Sequence, residues 1–201
     1  RICEREQQEE QQSMKFTKMQ GCGNDYVYVN GFTEKLSLQE KPEIVRKLSD
    51  RHFGIGGDGV IFINPAEEAD FEMEMYNADG TRSEMCGNGI RCVAKYVYDK
   101  GLTDKEDITI VSAGKVKYLH LTVEGKTATD RGQVTKVRVN MGQPILAPVQ
   151  VPVKAEATEE TANGPAVVNA PITVDGREYR MTCVSMGNPH AIVFMKGVKD
   201  L

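Results

Sequence analysis

Asn77-Ala78-Asp79-Gly80-Thr81-Arg82-Ser83-Glu84-Met85-Cys86-Gly87-Asn88-Gly89 is the stretch on which the reading of this chain turns. It opens as a turn, because Asn, Asp and Gly satisfy tight backbone bends locally. It closes on Cys-Gly-Asn-Gly, directly before a segment in which Ile90, Val93, Ala94 and Val97 share one helical face and Gly101 follows. A helix is therefore expected over 87–100, with Cys86 immediately ahead of it. The first N–H groups of a helix have no intrahelical partners and point into the space before it. The positive end of the helix favours a thiolate placed there. Gly87 and Gly89 leave the entrance free of side chains, so a small carboxylate could rest on the helix N-terminus beside the sulfur. This arrangement suits removal of a proton next to a carboxylate, where fixed N–H donors would hold the charge that develops and a dry, closed site would strengthen them. The same spacing also fits a structural glycine turn with a buried cysteine.

Working outward, Met14–Phe32 reads as strand, glycine-rich turn, strand. Leu38, Ile44, Val45 and Leu48 have helical spacing, which predicts a helix over 38–51 with Pro42 in its first turn. The GIGGDG segment at 54–59 lacks the Lys-Ser/Thr element of a phosphate loop and is not read as a nucleotide site. A strand follows at 60–63. Phe71, Met73 and Met75 then alternate with Glu72 and Glu74, the pattern of a half-buried strand. Further short strands are expected at 108–111, 116–123, 134–141, 172–174, 178–185 and 191–195, with 142–171 as an irregular connection. Many short strands with two helices give an α+β class. Residues 1–13 are polar, of low complexity and expected to be a disordered extension, with Met14 a candidate start.

The chain has 201 residues, 40% apolar and 27% charged, as in ordinary globular proteins. A net charge of −4 offers no general attraction for nucleic acid or an anionic membrane. No signal peptide or membrane-spanning run is read, so a cytoplasmic protein is expected. The five cysteines have irregular spacing and no CxxC pair, which gives no support for a zinc site. Cys92 and Cys183 read as core; Cys22 borders a candidate site residue without a role of its own.

KFTKMQGCGNDYVYV, RHFGIGGDGV, MYNADGTRSEMCGNGIRC and SMGNPHAIVF resemble, in order over 15–195, the successive signatures of the diaminopimelate epimerase family. The CGNG and GNPH blocks are shared more loosely with proline racemases and other isomerases of the same fold. The resemblance implies two similar α+β domains of mixed or antiparallel sheet around a helix. Here these would be 14–131, carrying the first catalytic cysteine, and 132–201, a partial second domain. It implies interconversion of LL- and meso-diaminopimelate, in lysine and peptidoglycan precursor synthesis. A thiolate and a thiol on opposite faces of the α-carbon would act without pyridoxal phosphate, metal or other cofactor. On this chain it makes Cys86 one catalytic cysteine, with His190 modulating its proton affinity. Gly87 and Asn88 would supply donors to the reacting carboxylate, and Asn24, Asn77 and Asn188 would bind polar groups of the substrate. A homodimer is an admissible assembly; nucleic-acid and membrane partners are not implied.

Two departures from the family pattern stand out. Where some members carry a substrate-contacting Gln after the Asp of the GxGxD turn, this chain has Gly59. The family's second cysteine block, with its preceding Glu-Arg pair, has no match within the 201 residues, since Cys183 precedes rather than follows GNPH. A truncated chain with an incomplete second domain and little activity of its own is the expectation. Another racemase of the same fold, or a non-catalytic remnant, are the competing readings.

Overall fold

The computed structural model describes residues 14–195 and 197; the expected extension at 1–13 lies outside the described residues. The chain divides into two compact units. Among described residues, the first comprises 14–83 and 88–138, the second 84–87 and 139–197 apart from residue 196.

The first unit is built on an eight-stranded mixed sheet. Its strands are β1 (Phe16–Gly21), β2 (Asn24–Asn30), β3 (Gly59–Asn64), β4 (Phe71–Asn77), β5 (Arg82–Ser83), β6 (Asp107–Ser112), β7 (Lys115–Glu124) and β8 (Gln133–Asn140). The order is β1-β2-β3-β4-β6-β7-β8, with β5 a short side pairing on β4. β2–β3 and β4–β6 are the parallel pairs, and each is bridged by a helix: α1 (Lys41–Ser49) and α2 (Gly87–Asp99). Parallel neighbours require such a crossover.

α2 buries Ile90, Cys92, Val93, Ala94, Tyr96, Val97 and Tyr98, far more than one stripe. A helix apolar nearly all round must be enclosed. Both ends of the sheet reach it. A side-chain carbon placed on Gly21 of β1 would stand 3.4 Å from the Cys92 sulfur. At the opposite edge, Lys95 Nζ donates to the Val134 carbonyl of β8 at 2.7 Å. The sheet has thus curled into a half-barrel around α2. Each of the fully buried Ile90, Val93 and Val97 contributes about 1.5–3 kcal/mol by leaving water. α1 covers the other face, where Val45 joins Val27, Val29, Val60, Phe62 and Tyr76 in a second apolar cluster.

The helix expected over 38–51 is shorter at both ends. Residues 38–40 form a turn tied by Ser37 and Glu40, whose carboxylate accepts from the Ser37 backbone N–H at 2.9 Å and its hydroxyl at 2.6 Å. At the far end the Asp50 carboxylate accepts from the backbone N–H groups of His52 and Phe53 and pulls the chain out of the helix. The GIGGDG segment runs from a helix into a strand, the reverse of the order in a dinucleotide-binding loop.

The second unit holds an antiparallel meander, β11 (Ala170–Val174), β12 (Arg177–Ser185) and β13 (Pro189–Val193), and a small hairpin of β9 (Glu159–Thr161) and β10 (Gly164–Ala166). The hairpin lies inside 142–171, which is therefore less irregular than its composition suggests. Val151, Val167, Ala170, Met181 and Cys183 form this unit's core.

Candidate functional site

The contribution of the first unit starts at the β1–β2 hairpin. Gly21 pairs with Asn24, so Cys22-Gly23 is a two-residue turn, and both residues have positive φ (52° and 91°). That is the primed turn whose twist suits a hairpin. It leaves Cys22 exposed at the tip and turns Asn24 inward. Asn24 Nδ2 donates to Asp58 Oδ2 at 3.2 Å, and Asn24 Oδ1 accepts from Asn88 Nδ2 at 2.7 Å. Asn88 Oδ1 in turn accepts from the Arg91 guanidinium. Asp58 also accepts from Arg51 Nη2 at 2.9 Å and from the Asp25 backbone N–H at 3.2 Å. Asp25 is gripped by Arg51 at 2.7 Å and Lys18 at 2.9 Å; hydrogen bonds first from Arg51, then from Lys18, hold its carboxyl well below the usual carboxylate range. Asn24 and Asn88, singled out separately in the sequence, are thus direct partners.

Asn77 ends β4 opposite Gly59. Its side chain is exposed and donates to Thr81 Oγ1 at 3.1 Å, closing its own turn. The structure brings it to Asp58 only through the backbone, where the Ala78 N–H meets the Asp58 carbonyl at 3.0 Å. Gly59 has no room for a side chain: a Cβ there would stand 2.0 Å from the Tyr76 carbonyl oxygen.

The contribution of the second unit is the 84–87 segment and the turn between β12 and β13. Cys86 is half-buried and immediately precedes the first residue of α2, as the sequence suggests. Met141 stands 3.6 Å from where a Cβ on Gly87 would lie, and Gly87 is half-buried. A Cβ on Gly187 would lie 3.8 Å from the Met85 side chain, which sets the turn carrying Asn188 next to the residue before Cys86. His190 and Asn188 are both exposed, and His190 Nε2 lies 3.1 Å from Asn188 Oδ1. Ser185, at the end of β12, is locked to Ile145 by reciprocal backbone bonds of 2.9 Å.

Asn88, in the first turn of α2, and its partner Asn24, at the start of β2, form one amide pair, and Cys86 precedes the same helix in the chain. The profile of the diaminopimelate epimerase family matches residues 16–146, which include the amide pair and the cysteine segment.

The chain belongs to the diaminopimelate epimerase family.

A diaminopimelate epimerase from Agathobacter rectalis is 55% identical over 185 residues, covering 92% of this chain and 62% of its own length. One from Desulfovibrio desulfuricans is 49% identical, covering 94% and 63%. The chain thus spans less than two thirds of the length of these curated relatives. Among solved structures, a probable proline racemase from Agrobacterium radiobacter K84 superposes with a TM-score of 0.62 at 14% identity, over 94% of this chain and 55% of that one. A hydroxyproline epimerase from Agrobacterium vitis gives 0.57 at 15%, over 90% and 51%. At such identities these two show the shared fold alone.

Sequence reading missed Asp58, Arg51 and Arg91 as companions of Asn24 and Asn88. The only signal was an Asp inside a glycine-dense turn, and nothing local indicates that this turn lies against Asn24, 34 residues earlier.

Proposed function

We propose that the gene product carrying this chain is a diaminopimelate epimerase, with Cys86 as one of its proton carriers. The observation that carries the reading is the placement of Cys86 directly before α2, in a chain of this family. The substrate α-carboxylate rests on the backbone N–H groups of Gly87 and Asn88 at the helix start. The Cys86 thiolate takes the proton from the α-carbon and becomes a thiol. The electron pair left behind spreads into the carboxylate, where the N–H donors stabilise it. A second acid returns a proton to the opposite face, inverting the centre. In the reverse direction Cys86 is the donor. Asn24, Asn77 and Asn188 bind the polar groups of the substrate, and His190 tunes the proton affinity of Cys86. No cofactor is needed in this scheme, because both steps are proton transfers between side chains and carbon.

No helix among the described residues is long and apolar enough to cross a membrane. Cys22, Cys86, Cys92 and Cys183 form no disulfide among the described residues, which fits a reducing compartment. The two units correspond, in this reading, to the two domains of the family, and a homodimer is the assembly to examine by light scattering. The test of function is α-hydrogen exchange of LL-diaminopimelate in deuterium oxide, catalysed by the complete gene product. Exchange and formation of the meso form are expected without added cofactor, and both should collapse in Cys86→Ser. Turnover of proline but not diaminopimelate, or an unimpaired Cys86→Ser, would reject the reading.

A further inference from the structure

We propose that Asp58 is a positioning residue of this site, fixing which way the Asn24 amide faces and, through it, the Asn88 amide. The proposal rests on the reading of Asn24 and Asn88 as substrate-binding residues. A side-chain amide has nearly the same shape in its two flipped orientations, but a donor end and an acceptor end trade places. For recognition the difference is decisive, since a carboxylate needs N–H and is repelled by C=O.

The network around Asn24 permits one orientation. A carboxylate can only accept, so the Asn24 group 3.2 Å from Asp58 Oδ2 is the NH2. That directs Asn24 Oδ1 to Asn88, which must donate, and does so at 2.7 Å. Asn88 Oδ1 then faces Arg91, which can only donate. An acceptor-only group at one end and a donor-only group at the other give the whole chain a single hydrogen-bond sense. Each amide spends one N–H within the chain, which leaves the second N–H of Asn24 for a ligand acceptor. The anchor is itself held at four points. Arg51 Nη2 meets Asp58 Oδ1 at 2.9 Å, and the Asp25 N–H meets Oδ2 at 3.2 Å. The Asp58 backbone N–H donates to the Asp25 carbonyl at 2.7 Å, and its carbonyl accepts from Ala78 at 3.0 Å. Asp58 is bonded to Asn24 and Asn24 to Asn88, so its influence on the second amide passes through the first.

Asp58→Asn is nearly isosteric but can donate as well as accept, so both orientations of Asn24 become available. The test is a double-mutant cycle on the complete gene product, reading KM and kcat for LL-diaminopimelate in wild type, Asp58→Asn, Asn24→Ala and the pair. Expected is a rise of about tenfold in KM for Asp58→Asn, the equivalent of one hydrogen bond. Its kcat should change less, and in the Asn24→Ala background Asp58→Asn should add nothing. Equal losses in both backgrounds would show Asp58 acting independently of Asn24 and would overturn the proposal. Unchanged kinetics in Asn24→Ala alone would instead overturn the reading of Asn24 as a substrate ligand, and the proposal with it. If circular dichroism shows Asp58→Asn unfolded, Arg51→Gln, which loosens the anchor while leaving the carboxylate, carries the same cycle. The same non-additivity is expected there, and additivity again rejects the idea.

Discussion

Asn88 donates its side-chain N–H to the side-chain oxygen of Asn24 at 2.7 Å, across 64 residues of sequence. The bond ties the first hairpin to the first turn of α2 and so fixes the helix start that follows Cys86. Asn88→Ala leaves the Asn24 oxygen without this donor and should cost about 1–2 kcal/mol. Asn88→Asp should cost more, because an acceptor-only carboxylate then faces that oxygen and Asp58 prevents Asn24 from flipping to meet it. Urea unfolding of the two variants checks the order; a more stable Asp variant contradicts the assigned amide orientations.

Cys22 occupies a left-handed position in the β1–β2 turn, with φ of 52°. A side chain other than Gly, Asn or Asp there costs about 1 kcal/mol. Cys22→Asn should therefore stabilise the protein by about 0.5–1 kcal/mol, while alkylation at this exposed site disappears. Thermal unfolding compared with wild type measures it; a loss of stability would mean that Cys22 makes contacts that outweigh its backbone strain.

Local signals were readable and non-local ones were not. Strands β1 to β4 and α2 follow from periodicity, because each buries one face or is enclosed. The Cys22-Gly23 turn announces itself through glycine. Glu74 is the counterexample: alternation with Met73 and Met75 places it on a solvent face, yet it is buried. Its partners, Lys41 and Asn64, lie 33 and 10 residues away, so the alternation marks the strand without showing that its charged face is covered as well. The site shows the same division. Cys86 before a helix is a local pattern, whereas the amide network needs the β2–β3 pairing that brings Asp58 beside Asp25.

Gly59 is required by a close approach. Its α-carbon faces the backbone of β4, where an added Cβ would lie 2.0 Å from the Tyr76 carbonyl oxygen. Gly59→Ala should lose about 1–3 kcal/mol as the strands part. Gly59→Gln should lose at least as much, with no gain in substrate affinity to offset it. Chemical denaturation and isothermal titration test both halves; tighter binding by Gly59→Gln would show that the strand pair adapts to a side chain there.

The thiols should divide by burial. Cys92 and Cys183 are buried, and burial pushes the Cys183 thiol up, so neither should be alkylated until the protein unfolds. Cys22 and Cys86 should be labelled in the native state, and diaminopimelate should shield Cys86 alone. Peptide mapping after timed iodoacetamide treatment reads this directly. Native-state labelling of Cys183 ahead of Cys86 would contradict the core described for the second unit.

Lys41 and Glu74 form a buried ion pair at 2.5 Å, one from α1 and one from β4, with the Lys41 ammonium also 4.7 Å from the Phe62 ring centre. Glu74 accepts from Tyr76 OH at 2.8 Å and Asn64 Nδ2 at 2.9 Å as well. Burial acts to raise the Glu74 carboxyl, but the hydrogen bonds from Lys41, Tyr76 and Asn64 together outweigh it and hold it below its ordinary value. The converse applies to Tyr76: burial, and then its bond to Glu74, push its hydroxyl up to about 12. A carboxyl depressed by folding stabilises the fold above its unfolded value of 4.5, and that contribution fades as pH falls through the folded value. A raised phenol stabilises below 10 and loses its contribution as pH climbs from 10 towards 12. Lys41→Met strands the carboxylate and should cost about 3–5 kcal/mol at neutral pH. In that variant burial is no longer opposed by the ammonium, so Glu74 takes up a proton more readily and its uncompensated charge is relieved in acid. The stability gap between wild type and Lys41→Met should therefore narrow as pH falls from 7 to 4. Lys41→Met combined with Glu74→Gln, which keeps an acceptor for Tyr76 but no charge, should recover most of the loss at neutral pH. Urea unfolding of the three proteins across this range is the measurement, and a gap independent of pH would mean that the pair is not the charged, buried contact described.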